Sequence, residues 1–186
     1  MTTHDDDDVD SELLATLLDA LPPAAPPASA LKDRLMKSAM SVTSAQRHAS
    51  FVDRIAALTD LARDKTIALL DALDDAARWL GGGSESAIFH VEGGPRVANA
   101  IVGFVRMQAG AQFIEHEHVG DEVMLIMQGG FVMNGVTYRA GDEVPSKGGT
   151  SHTFVAAPGP DLLYLGVIEG GMKIDGNLIG PDDPSY

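Results

Sequence analysis

The 186-residue chain contains no cysteine, which excludes disulfides and any thiolate metal site. That composition suits a reducing compartment. Met1 is followed by no basic segment and apolar run of the signal-peptide kind, so a cytoplasmic location is expected. No apolar run approaches the roughly 20 residues needed to span a membrane. Bases are scarce: 13 Lys and Arg stand against 27 Asp and Glu, a formal net charge of −14. The chain therefore lacks the concentrated basic face that direct nucleic-acid binding requires. Nucleophile motifs and phosphate-cradling loops are also missing; the glycines at Gly81-Gly82-Gly83 do not join a strand to a helix as a dinucleotide fingerprint must.

What is present falls into three segments. Residues 1–27 form an acidic, Pro/Ala-rich stretch expected to be flexible, with one short helix at 12–21 ended by Pro22-Pro23. Residues 28–80 form a helical extension. Ser29 is placed to cap a helix over about 30–41 with Leu31, Leu35 and Ala39 on one side. A second helix is expected over 44–61, with a stripe of Phe51, Ile55, Leu58 and Ala62. A third is expected over 63–80, carrying Ile67, Leu70, Leu73 and Trp79 inward. The last two are read as a hairpin packing on the β domain or on a second subunit. A DNA-reading pair is disfavoured, because Asp64, Asp71, Asp74 and Asp75 would repel phosphates.

From residue 81 to 186 the period changes to two and glycine breaks recur. Strands are expected over 86–91, 97–107, 112–118, 122–128, 130–139, 152–157 and 162–169, with Asn134-Gly135 as a hairpin turn. Many short strands with frequent turns mean a mainly β sandwich or barrel.

Within it, the tract GAQFIEHEHVGDEVMLIMQG and the later GDEVPSKGGTSH bring together three histidines and a glutamate. His116 and His118 are two apart and share a strand face. Glu122 keeps that parity, and His152 arrives from a second strand. Neutral imidazoles and a carboxylate suit one borderline divalent metal such as zinc, iron, manganese, nickel or copper. A metal would offset the cost of placing these groups among the apolar residues of 123–127. Phe113, Met124, Ile126, Met133, Tyr138 and Phe154 are the apolar candidates for a pocket lining near it, suited to a small apolar ligand. No catalytic acid, base or nucleophile stands out beyond these. His90 is read as a surface or core-satisfied residue, and His4 and His48 as isolated.

These two segments resemble the paired motifs of the cupin superfamily. Gly110, His116, His118, Glu122 and Gly129 fill the first; Gly141, Gly149 and His152 fit the second, with Lys147 where a proline is expected and Ala156 in place of an asparagine. The tract from VANAIVGFVRMQAGAQF to LLYLGVIEGG is similar to the ChrR-like, cupin-type anti-sigma factors. That resemblance implies a double-stranded β-helix, a jelly-roll-like barrel, with an N-terminal helical extension. It further implies a zinc ion held by His116, His118, Glu122 and His152, and a regulatory role exerted through a sigma factor. The family's N-terminal domain grips its sigma factor through a Cys-containing zinc site, which a chain without cysteine cannot build. The expectation is thus a regulatory, metal-binding cupin, dimeric, that senses a small ligand or an oxidant. The alternative is a non-haem metal-dependent dioxygenase acting on a small organic substrate.

Overall fold

The computed structural model describes residues 29–81 and 85–183. The expected helix at 12–21, the acidic start and His4 lie outside these residues. The contacts divide the chain between Ser41 and Val42. On the first side stands helix α1 (Ser29–Met40), with Leu31, Leu35 and Met36 all exposed. On the second side the remaining helices and the strands form one compact unit.

The helical part of that unit is more broken than the apolar stripes suggest. Thr43 opens α2 (Ser44–Arg47) through a capping box: its hydroxyl accepts from the Gln46 amide while the Gln46 side chain takes the Thr43 N–H. A 3₁₀ turn at Ala49–Phe51 leads into α3 (Val52–Thr59), which ends with Asp60 in the left-handed region at φ 55°. Asp60 is then held by Arg96, which donates to it from both its backbone N–H (3.0 Å) and its Nε (2.7 Å). The third expected helix is α4 (Arg63–Asp71), after which two 3₁₀ turns carry the chain to Arg78. Asp71 and Asp74 at its end accept from the backbone N–H groups of Ala45 and Ser44. Two of the four acidic residues that argued against a DNA contact, Asp71 and Asp74, thus cap the start of α2.

Among the described residues eleven strands follow: β1 (Ser86–His90), β2 (Ala100–Met107), β3 (Gln112–His118), β4 (Glu122–Gln128), β5 (Gly130–Met133), β6 (Val136–Arg139), β7 (Glu143–Ser146), β8 (Ser151–Ala156), β9 (Leu162–Glu169), β10 (Met172–Ile174) and β11 (Asn177–Ile179). They form two antiparallel sheets, ordered β1-β2-β9-β4-β7 and β11-β10-β3-β8-β5-β6. This is the mainly β, two-sheet cupin architecture with helices before it. The stretch 130–139 is not one strand but a hairpin, turned by Asn134 (φ 51°) and Gly135 (φ 78°). Two consecutive positive φ values give the turn whose twist matches the flanking strands.

The five-stranded sheet is covered on both faces. One face packs on the helices through Phe89, Phe104, Leu125, Leu165 and Val167 against Ile55, Leu70, Leu73 and Trp79. The other faces the barrel interior with Val105, Met124, Ile126 and Tyr164, meeting Phe131 and Phe154 of the second sheet. This is why β2, β4 and β9 read as almost continuous apolar runs. Trp79 fixes the helical layer: its indole donates to the Leu73 carbonyl at 3.0 Å and meets Phe89 edge-on at 5.6 Å.

Candidate metal centre

His116 and His118 point inward from β3, Glu122 opens β4 and His152 stands on β8 directly opposite His116. One nitrogen from each imidazole and one carboxylate oxygen lie within 4.8 Å of one another. His118 is 0% exposed, and His116 and Glu122 are each 3% exposed. The alternation that turns these side chains in turns Glu117 out, where it pairs with Lys173 at 2.7 Å.

The outer nitrogens determine what the inner ones can do. His116 Nδ1 sits 3.0 Å from the Ile114 carbonyl, an acceptor only, so that nitrogen carries the proton. His118 Nδ1 sits 3.3 Å from the Thr150 hydroxyl, whose own hydrogen is donated to the Lys147 carbonyl. This nitrogen must therefore also donate. His152 Nδ1 lies 3.4 Å from the Ser146 hydroxyl. His116 and His118 are thereby oriented with their Nε2 lone pairs inward, the arrangement outer hydrogen bonds impose on metal-binding histidines, and the Ser146 contact is compatible with the same tautomer for His152.

Inside, His116 Nε2 faces His118 Nε2 at 3.2 Å, His118 Nε2 lies 3.1 Å from Glu122 Oε2, and His152 Nε2 lies 3.6 Å from the same oxygen. Two bare lone pairs at such a distance repel unless a cation or proton lies between them. Glu122 Oε2 and His152 Nε2 are buried and make no hydrogen bond, a costly state that an ion relieves. Ligands about 2.1 Å from a common centre are about 3.0–3.4 Å apart along a polyhedron edge; the 3.1 and 3.2 Å separations fall in that range and the 3.6 Å separation lies just beyond it. Burial holds His116 and His152 below the ordinary imidazole range, His152 at about 4. Both are therefore neutral near pH 7, as coordination requires. The donor set fits one divalent ion and does not by itself choose among borderline metals.

The sequence profile described as the ChrR cupin-like domain matches residues 74–169, from the end of the helical layer through β9. The chain belongs to this family. No curated protein matches it. Among solved structures, the complex of Rhodobacter sphaeroides SigE with the anti-sigma ChrR is 23% identical, covering 85% of this chain and 75% of that one at a TM-score of 0.49. An acetylacetone dioxygenase from Acinetobacter johnsonii is 18% identical over 59% of this chain and 78% of that one, with a TM-score of 0.46. KdgF from a Halomonas species is 22% identical over 52% and 87%, with a TM-score of 0.42.

The apolar surroundings come from several strands. Strict alternation along β3 would put Phe113 outside, but the register shifts between Phe113 and His116. This irregularity returns Phe113 to the interior, where it stacks on Phe154 at 5.0 Å and meets His116 edge-on at 5.2 Å. Phe113 lines a cavity of about 30 Å³ beside His116 and Glu122. Met124, Ile126 and Phe154 do not; they fill the packed interior, with Met133 and Tyr138 against them. The cavity walls come instead from Ile101 and Val105 on β2 and Tyr164 and Ile168 on β9, among others. Sequence reasoning missed them because they stand far along the chain from the motif; their signal was parity on strands that show none. His90 is half-buried on β1 and His48 is buried beside Phe51, both outside the ligand cluster.

Proposed function

We propose that this chain is a metal-binding regulatory cupin of the cytoplasm. In this reading His116, His118, Glu122 and His152 hold one zinc ion, and the state of that ion is passed to a partner protein. The observation that carries it is the set of converging Nε2 atoms whose Nδ1 atoms are tethered from outside. When bound, the ion supplies a Lewis-acidic centre and cross-links β3, β4 and β8. The protein's part is to orient three neutral imidazoles and to keep a carboxylate among them. Membership of the ChrR cupin-like family supports a sensing role over catalysis.

The partner in this reading is a sigma factor or another regulatory protein. It is contacted without the Cys-containing zinc site, since the chain has no cysteine. The exposed Leu31, Leu35 and Met36 on α1 support self-association into a dimer. The segment 1–27 and the helical extension 28–80 then serve contact, and 81–186 serves sensing. The test is zinc-dependent capture of purified sigma factors by the full chain. Retention that is lost in Glu122→Gln supports the reading; no retention of any sigma factor, with or without zinc, removes that partner.

A second reading, an iron-dependent dioxygenase, is favoured by the same mixed nitrogen and oxygen donor set, which also suits iron(II). Oxygen uptake by the iron-loaded protein with small diketones or phenols decides it.

A further inference from the structure

The cavity beside the ligand cluster has an origin in the backbone. On the interior face of the five-stranded sheet, β2 presents Ile101, Gly103 and Val105, and β9 presents Tyr164, Gly166 and Ile168. Gly103 and Gly166 are direct partners in the ladder. Two adjacent strands therefore omit their side chains at the same level, and the space left lies against His116 and Glu122.

Neither crowding nor backbone conformation demands a glycine at 166. A Cβ there would meet Tyr164 Cε2 at 3.5 Å and the Gly103 carbonyl at 3.9 Å, ordinary contacts, and its φ lies outside the left-handed region. Mid-strand glycine is destabilising by roughly 0.5–1 kcal/mol relative to alanine, and within a sheet it often marks a place where something must approach closely. What glycine preserves at this position is room. The cavity of about 30 Å³ exceeds the roughly 10–15 Å³ that a single water requires, so it admits a molecule of two or three heavy atoms. Apart from His116, Glu122 and Tyr164, the side chains that line it are apolar. A guest would thus have the ligand cluster at one end, where Ile168 and Ile101 stand level with Glu122 in the ladder, and Val105 and Tyr164 at the other.

We propose that the gap kept open by Gly103 and Gly166 is a binding site for one small, linear molecule, neutral or singly anionic, that reaches the cation from the barrel interior. This rests on the metal-binding reading above and specifies its ligand class. Bulky organic ligands are excluded by the same walls.

The experiment uses the full chain loaded with cobalt(II), with azide as the probe and the visible spectrum as the readout. The wild type should show a saturable spectral shift. Gly166→Ala should weaken azide at least tenfold, and Gly166→Val should abolish the shift while cobalt stoichiometry stays at that of the wild type. A wild type that binds cobalt but does not respond to azide overturns the proposal. So does a Gly166→Val variant that responds like the wild type. Failure to take up cobalt at all would instead contradict the metal-binding reading. The cavity is then tested alone by dissolved dioxygen as a paramagnetic probe of methyl NMR signals. Selective broadening at Ile101 and Ile168 that disappears in Gly166→Ala supports the site, and uniform broadening overturns it.

Discussion

Lys147 occupies the position where the second cupin motif expects a proline, and the structure assigns it a task. Its ammonium lies 2.6 Å from Asp121, whose other oxygen accepts the Gly148 N–H at 3.1 Å. Gly148 packs so closely on Val119 and Gly120 that an added Cβ would stand 3.1–3.2 Å from their backbone atoms. The clamp thus joins the turn before Glu122 to the turn before His152. It also holds the Lys147 carbonyl and Thr150 hydroxyl that orient His118. Lys147 is 80% and Asp121 48% exposed, so solvent screens the ion pair and it contributes little by itself. The charged acceptor on the Gly148 backbone N–H contributes more than the ion pair does. If loop order is fully transmitted to the metal, Lys147→Ala weakens zinc about twofold and Asp121→Ala about tenfold. Raising salt to about 0.5 M should erase the Lys147 effect and leave most of the Asp121 effect. Competition against a chromophoric chelator measures both. Equal affinities for wild type and Asp121→Ala, or a Lys147→Ala loss larger than that of Asp121→Ala, would refute the reasoning.

Other perturbations have equally definite outcomes. In the metal-free protein, the folded His152 titrates at about 4, below the ordinary 6.5, so the unfolded chain takes up its proton first. Stability is then fully present above about pH 6.5 and falls as pH drops toward 4, by about 3 kcal/mol from this group; urea melts of the chelated protein at several pH values would show a flat dependence if burial were not the cause. Gly94→Ala should be strongly destabilising, because a Cβ there would lie 2.1 Å from the Asp60 carbonyl oxygen and 2.6 Å from its side chain; a melting temperature within a degree of wild type would contradict the Asp60–Arg96 junction. Phe89→Ala should cost about 3–5 kcal/mol and red-shift the emission of Trp79, the chain's one tryptophan, which packs on that ring; an unshifted spectrum would mean the helical layer is not seated there.

The clustering of three histidines and a glutamate was legible because they lie in two short tracts where spacing alone fixes parity: His116 and His118 two apart, and His152 on a facing strand. The Asn134-Gly135 turn was legible because its chemistry is local. What escaped depended on partners. Strand β7 contains Pro145, which suits the sheet edge it occupies but weakens its strand signal. Strands β10 and β11 are three residues each, although Asp175 (φ 50°) and Gly176 (φ 79°) form the same kind of turn and could have been read. Strict alternation along β4 would put Gln128 on the face of Met124 and Ile126, but a register shift after Ile126 turns it out to donate to the Asp161 carbonyl. The helices over 44–61 and 63–80 look continuous in their apolar stripes, yet Asp60 and the 3₁₀ turns bend them to follow the sheet. The cavity was invisible because glycines on two distant strands create it only when paired.

The central claim is that four side chains hold one metal ion, and metal analysis of untagged protein tests it most directly. Protein exposed to zinc and then dialysed should retain close to one ion per chain. The double variant His116→Ala/His152→Ala should retain none while its Trp79 emission stays that of the folded protein. A wild type that keeps no metal, or a folded double variant that keeps as much as the wild type, would contradict the account.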